Sequence, residues 1–278
     1  MTRQGSAPTY TASHAAGGKA RPSSTWTDWG QWLALITMTV DHLTRYVAPD
    51  SWGLGWAGSS IGRIAFPLFA AMVAWHGLFN TRNPLRYARR ILMIGLVAQL
   101  PYMMMPRSSD GLILNICFTL SLSLAGGTWL KRLPARIAND ALSNARLAVE
   151  AAVALGAWLI AGQWVEYSHL GLLMIPLYML AMQYLHLASP EFTERLRATG
   201  MALPVLLVAG MMNSSDMAKS FTVATCLAVL LLASGAHRLV HGVPFRMPRR
   251  LWLAWYPGHF AGIALLLWLT GELASGSS

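Results

Sequence analysis

A chain of 278 residues that is 55% hydrophobic and only 12% charged has the balance of a polytopic membrane protein rather than of a soluble domain. Its net charge of +10 would suit nucleic acid, but no helix-turn-helix, zinc-finger or base-stacking signature accompanies it, so no direct nucleic-acid binding is expected. The two cysteines, Cys117 and Cys226, fall in apolar segments and imply neither a disulfide framework nor a metal site.

Residues 1–25 are polar, rich in Ser, Thr, Ala and Gly, and are expected as a disordered cytoplasmic tail. They hold no signal peptide, and the first long apolar run, Trp29 to Ala48, ends near Asp41-His42 rather than in a small-residue cleavage site, so it stays as a membrane helix. Apolar length predicts nine spans, at about 29–48, 60–79, 87–106, 112–130, 147–163, 168–187, 199–213, 218–236 and 251–271. They form one all-α transmembrane domain over 26–273, with a short tail at 274–278. The seventh span is short and holds Pro204 and Gly210, so it reads also as a re-entrant or broken helix.

With Arg89, Arg90 and Lys219, just inside span starts, counted with the adjoining gaps, and Arg45 and Arg63 set aside, Lys and Arg number 17 in the amino-terminal tail and the even-numbered gaps, against Arg107 and Lys219 in the odd-numbered ones. Cytoplasmic loops hold the excess, so the amino terminus is expected inside and the carboxyl terminus outside. Helix one then carries Asp41, His42 and Arg45 to its external end. Arg63, Asn115, and Glu166 with Tyr167 and His169 come to the same level from other segments. External helix ends are also where polar residues are cheap, and an orienting Asp41–Arg45 pair is the plain alternative to a functional site. Pro67, Pro101 and Pro176 lie inside predicted helices, where each frees the carbonyl four residues earlier; for Pro67 that is the carbonyl of Arg63.

The runs Leu33-Ala-Leu-Ile-Thr-Met-Thr-Val-Asp-His42, Ile61-Gly-Arg-Ile-Ala-Phe-Pro-Leu-Phe69, Thr81-Arg-Asn83, Gln99-Leu-Pro101 and Leu114-Asn-Ile-Cys-Phe-Thr-Leu120 resemble the TraX family. Glu166-Tyr167, Gly171-Leu-Leu-Met-Ile-Pro176 and Trp255-Tyr-Pro-Gly-His259 extend the resemblance more weakly, and 188–250 add nothing to it. The chain departs from the family pattern at Trp75-His76-Gly77, where an acidic residue is expected, and at Asn80, where a histidine is common. The resemblance implies an inner-membrane acetyltransferase of conjugation systems, with TrbP-like relatives. Acetyl-CoA is then the donor and a pilin subunit the acceptor.

Acyl transfer from a thioester to an amine needs a base, donors for the developing oxyanion, and exclusion of water. His42 is the general base, with Asp41 or Glu166 as orienting carboxylate; adjacent residues on a helix diverge by about 100°, which favours Glu166. The two-step alternative acylates His42 itself. Arg45, Arg63, Asn115 and Tyr167 are candidate substrate ligands. Arg82, Arg86, Arg89 and Arg90 on the inner side suit the phosphates of acetyl-CoA, although positive-inside bias explains the same residues. Tyr256 and His259, taken as inner-facing, are expected along the donor path or as packing. A transporter and a non-catalytic assembly subunit remain as other classes, and membrane lipids surround the protein in every case. The charge bias makes one prediction: reporter fusions after Arg90 and Arg136 read cytoplasmic, and fusions after Pro106 and Glu166 read external. A cytoplasmic signal after Glu166 breaks up the common external level.

Overall fold

A computed structural model describes residues 22–106, 111–139 and 143–271. Residues 1–21 of the expected tail, Arg107 and the tail at 274–278 lie outside the described residues. The helices are α1 (Thr25–Tyr46), α2 (Gly55–Ser59), α3 (Ala65–Trp75), α4 (Pro84–Met103), α5 (Ile116–Ala138), α6 (Asn144–Ala161), α7 (Ser168–Leu187), α8 (Phe192–Met211), α9 (Asp216–Ala233) and α10 (Arg249–Leu269). Among the described residues the only β-type pairing is an isolated bridge between Leu114 and Val165.

Among the described residues five helical segments are long and apolar enough to cross a membrane: Gly55–Asn80, α6, α7, α9 and α10. The other long helices, α1, α4, α5 and α8, carry charges such as Asp41, Arg89, Lys131 and Arg195, which lower their mean hydropathy. Large apolar side chains cover the outer surface, among them Val97, Leu100, Val153, Ile160 and Leu207, an exposure that suits lipid better than water. Helix α6 has no buried residue and lies at the periphery against α7. At the centre α7 packs on α3, α5 and α8, while α4 fits between α5 and α10. The fully buried side chains include Trp75, Tyr178, Phe66 and Phe260.

Two elements differ from the sequence expectation. The seventh span, for which the sequence leaves a broken helix open, is one unbroken helix from Phe192 to Met211 with Pro204 inside it. The carbonyl that Pro204 frees belongs to Gly200, an exposed residue, so the helix passes through without a buried orphan. The second span is segmented: α2, a 3-10 turn at Ile61–Ile64, α3, then a π-helical turn at His76–Asn80. Pro67 therefore stands in the first turn of α3, where a missing N–H is tolerated, rather than in a helix interior.

Pro176 shows how the interior satisfies what proline removes. It frees the carbonyl of Leu172, and the hydroxyl of Ser123 on α5 donates to that oxygen at 2.8 Å. The Ser123 hydroxyl oxygen in turn accepts from the Ile175 N–H at 3.3 Å. Gly127 makes the approach possible, because a Cβ there would stand 3.2 Å from the Pro176 Cα. Ser123→Ala leaves the Leu172 carbonyl unpaired and is expected to cost about 1–2 kcal/mol. Thermal unfolding in detergent checks this against Ser220→Ala, an exposed-site control. Equal melting temperatures for the two variants would refute the stitch between α5 and α7.

Candidate active site

Asp41, His42 and Arg45 from α1, Arg63 from the 3-10 turn, and Glu166 with Tyr167 from the turn before α7 line one cavity of about 210 Å3. Phe66, Ile116 and Tyr256 complete its walls. Asp41 and His42 are both buried, at 8% exposure each, which makes their surroundings decisive. Asp41 rests on glycine backbone: a Cβ at Gly62 would fall 2.5 Å from its Oδ1, and one at Gly58 3.1 Å. Arg45, one turn on, approaches the same oxygen at 3.5 Å. The Nε–H of Arg63 is buried and makes no hydrogen bond among the described residues, so this cation keeps a donor at the cavity.

The partner of His42 differs from the expectation. Neither Asp41 nor Glu166 fills the role of orienting carboxylate on Nδ1; that nitrogen lies 2.8 Å from Nε2 of His259. The Asp41 carboxylate lies near the other nitrogen, with Oδ2 3.9 Å from His42 Nε2. The sequence expectation sets His259 with Tyr256 on the donor side, but the structure brings it halfway along α10 and against α1. Trp255 sets the register by donating its indole N–H to the Thr39 hydroxyl at 3.0 Å. One turn later His259 stands beside His42, and its own Nδ1 lies 2.9 Å from the Trp255 carbonyl. Tyr256, its neighbour, does reach the cavity.

Asn115 requires a correction as a substrate ligand. It is fully buried at the start of α5, and its amide group donates to the Gly95 carbonyl and to Gln99 Oε1, each at 2.8 Å. Its side-chain oxygen caps the helix by accepting from Cys117 N–H at 3.0 Å. With both amide hydrogens committed it ties α4 to α5 and has no donor left for substrate. Glu166 and Tyr167 are presented by the Leu114–Val165 bridge, in which Glu166 N–H donates to the Leu114 carbonyl at 3.0 Å. Tyr167 and Ser168 adopt φ of 63° and 52°, a left-handed conformation rare outside glycine, and the Tyr167 ring stacks on Phe66 at 4.0 Å. Burial pushes the Tyr167 phenol above its ordinary range, so it remains a neutral hydroxyl donor. His169 packs under the α6–α7 turn, with Nε2 3.0 Å from the Leu159 carbonyl.

Two further hollows adjoin the cavity. An apolar one of about 420 Å3 shares Met38, Phe69, Ile116 and Tyr256 with it and extends to Arg90 and Arg249. That hollow shares Phe69, Val73, Tyr87, Arg90 and Trp252 with a basic mouth of about 490 Å3. The mouth is lined by Arg82, Arg86, Arg90, His76 and Asn80, and Arg89 is absent from its lining. On the opposite side a wide recess of about 1100 Å3 shares Arg45, Glu166 and Tyr167 with the cavity.

A signal for the Asp41 seat was present in the sequence as Gly58-Ser-Ser-Ile-Gly62, small residues one helical turn apart that permit close backbone approach. The meeting of His42 with His259, 217 residues apart, has no local signal. No curated protein and no solved structure matches the chain. The family model described as TraX protein matches residues 28–267, which include every cavity-lining residue named above. The chain belongs to the TraX family.

Proposed function

We propose that the protein is an inner-membrane acyltransferase that moves acetyl from acetyl-CoA to the terminal amine of a conjugative pilin. TraX membership supports the link to pilin processing in conjugation. The observation that carries the chemistry is a buried histidine next to a cavity with two separate approaches, one basic and one broad. In this reading all nine long helical segments cross the membrane, with the arginine-rich mouth facing the cytoplasm.

The donor's phosphates bind Arg82, Arg86, Arg90 and Arg249, its pantetheine arm occupies the apolar hollow, and its thioester reaches the cavity. The acceptor amine enters from the opposite recess, where the Glu166 carboxylate favours its approach. The amine nitrogen attacks the thioester carbonyl carbon while His42 Nε2 takes an N–H proton. The carbonyl oxygen gains charge beside Arg63 and the Tyr167 hydroxyl. The C–S bond then breaks, and the proton on Nε2 passes to the departing thiolate, leaving an amide and free CoA thiol. Two mouths on opposite sides allow both substrates to be bound together, which favours direct transfer over an acyl-histidine relay. Burial between packed helices keeps water from the thioester.

His42→Ala is expected to lower acetylation of co-expressed pilin about 10²- to 10⁴-fold at matched protein levels in membranes, read by mass spectrometry. Activity within a few-fold of wild type would eliminate the general-base role, and absence of acetylated pilin with the wild-type protein would eliminate the reaction. For the donor mouth, Arg86→Gln with Arg90→Gln is expected to raise KM for acetyl-CoA about tenfold or more, while Arg89→Gln, outside the lining, leaves it near wild type. Equal effects from the two sets would return these arginines to a purely topogenic role.

A further inference from the structure

The contact between His42 and His259 contains more chemical information than proximity. Their ring planes differ by only 5° and the centroids are 5.0 Å apart, with 2.8 Å between His42 Nδ1 and His259 Nε2. A centroid separation about equal to the bond plus the two ring radii means that the rings are side by side in one plane rather than stacked. The hydrogen bond therefore runs along the nitrogen lone pairs, its most favourable direction.

The proton positions follow from the last member of the chain. A backbone carbonyl can only accept, so at 2.9 Å from the Trp255 oxygen the Nδ1 of His259 must carry hydrogen and donate. Neutral His259 then has a bare Nε2, which can only accept. The hydrogen between the rings thus belongs to His42 Nδ1, and His42 Nε2 is left with its lone pair. That nitrogen is the one near Asp41 Oδ2, at 3.9 Å, a distance too long for a hydrogen bond to a protonated Nε2 but close enough to stabilise an imidazolium once the proton arrives. Phe260 holds both rings, at 4.6 Å from His42 and 4.2 Å from His259 between centroids, and Tyr46 lies 6.0 Å from His42.

We propose that His259 is a positioning residue that, anchored by the Trp255 carbonyl, fixes His42 as its Nδ1–H tautomer and so keeps Nε2 permanently available as the proton acceptor of the transfer reaction. The catalytic part of this inference rests on the acyltransfer reading; the tautomer does not. During turnover the proton taken from the amine resides on Nε2, the Nδ1–H stays shared with His259, and the extra charge lies between Asp41 and the second imidazole. The proton then leaves with the thiolate, and both rings return to their starting tautomers with no net change. The arrangement is the imidazole counterpart of the carboxylate that orients a catalytic histidine in hydrolytic triads, but without a second buried anion.

The experiment uses the full-length protein in nanodiscs, with nitrogen-15 in its histidines, and His42→Gln to assign the His42 signals. Nitrogen NMR is expected to show His42 protonated on Nδ1 and bare on Nε2. His259→Phe keeps the ring and removes the acceptor, and is expected to convert His42 to a mixture of tautomers. It should lower kcat about 10- to 100-fold, by analogy with loss of a residue that orients a ligand histidine, with little change in KM for acetyl-CoA. His259→Gln supplies a carbonyl acceptor for the Nδ1–H and should restore both the single tautomer and most of the rate. Should His259→Phe fail to insert, His259→Leu against His259→Gln makes the same comparison. A wild-type His42 with hydrogen on Nε2, or an unchanged single tautomer after loss of the acceptor, overturns the proposal. A correct tautomer in a protein that acetylates nothing leaves the dyad standing and removes the transferase reading alone.

Discussion

Placing a carboxylate in the interior of an apolar helix bundle is the constraint on which the site end of this protein is built. Asp41 is 8% exposed, and a carboxylate so removed from water needs positive charge and polar contact close by. Arg45 supplies charge at 3.5 Å, and Arg63 stands in the same cavity. Gly58 and Gly62 supply something less obvious, a surface with no Cβ on which the carboxyl can lie. That requirement explains why the second span is not a straight helix. A short helix and a 3-10 turn fold the Gly58–Gly62 stretch against α1, and only from Ala65 does the regular helix begin. The segmented backbone thus carries Arg63 to the carboxylate and leaves Phe66 to support Tyr167.

A related rule, that polar groups in a dry interior are costly without partners, accounts for much of the frame. Ser121 donates to the Ala88 carbonyl and Ser123 to that of Leu172, so α5 is stitched to α4 on one side and to α7 on the other. Asn115 and Gln99 close the α4–α5 connection, with Gln99 donating to the Ile113 carbonyl at 2.9 Å. Hydrogen bonds of this kind contribute modestly one by one, but they fix the depth at which each helix stands relative to the next. Depth is what matters to the site, because a slip of one turn moves a side chain about 5.4 Å along the axis.

The all-helical frame was legible in the sequence because apolar runs of helical length recur along the chain, although charges lower the hydropathy of four of them, and depth counted along alternating helices put Asp41, His42, Arg45, Arg63, Glu166 and Tyr167 at one level, where they line one cavity. Depth is one coordinate only. It brought Asn115 to the correct level without revealing that the residue turns into the α4–α5 contact and exhausts its hydrogens there. It also left His259 on the wrong side of the problem, because position along α10 does not say that the helix lies parallel to α1 with Trp255 locked on Thr39. Lateral neighbours in a bundle are set by packing among all the helices, and no local pattern encodes them. The arginines show a related ambiguity. Arg89 and Arg90 are equal in sequence terms, yet one helical step of about 100° takes Arg90 into the mouth and leaves Arg89 out of its lining.

A transporter and a transferase can share buried charges, kinked helices and openings on two faces, so the features that separate them must lie in how the centre is held. A transport site has to exchange its exposure between two sides, which calls for groups that change partners as helices move. Here the central histidine is held on both flanks, by an in-plane hydrogen bond from α1 to α10 and by Phe260, while α10 is itself pinned by Trp255 and Asp41 is seated on backbone. Immobility of this kind is what bond-making chemistry asks of a base, since a misplacement of about 1 Å costs orders of magnitude in rate. In the proposed transfer reaction only an acetyl group, and not a whole solute, would pass from one approach to the other, so no alternation is needed. A fixed centre between opposed mouths would then let the proposed cytoplasmic donor and external acceptor meet without any large motion of the helices.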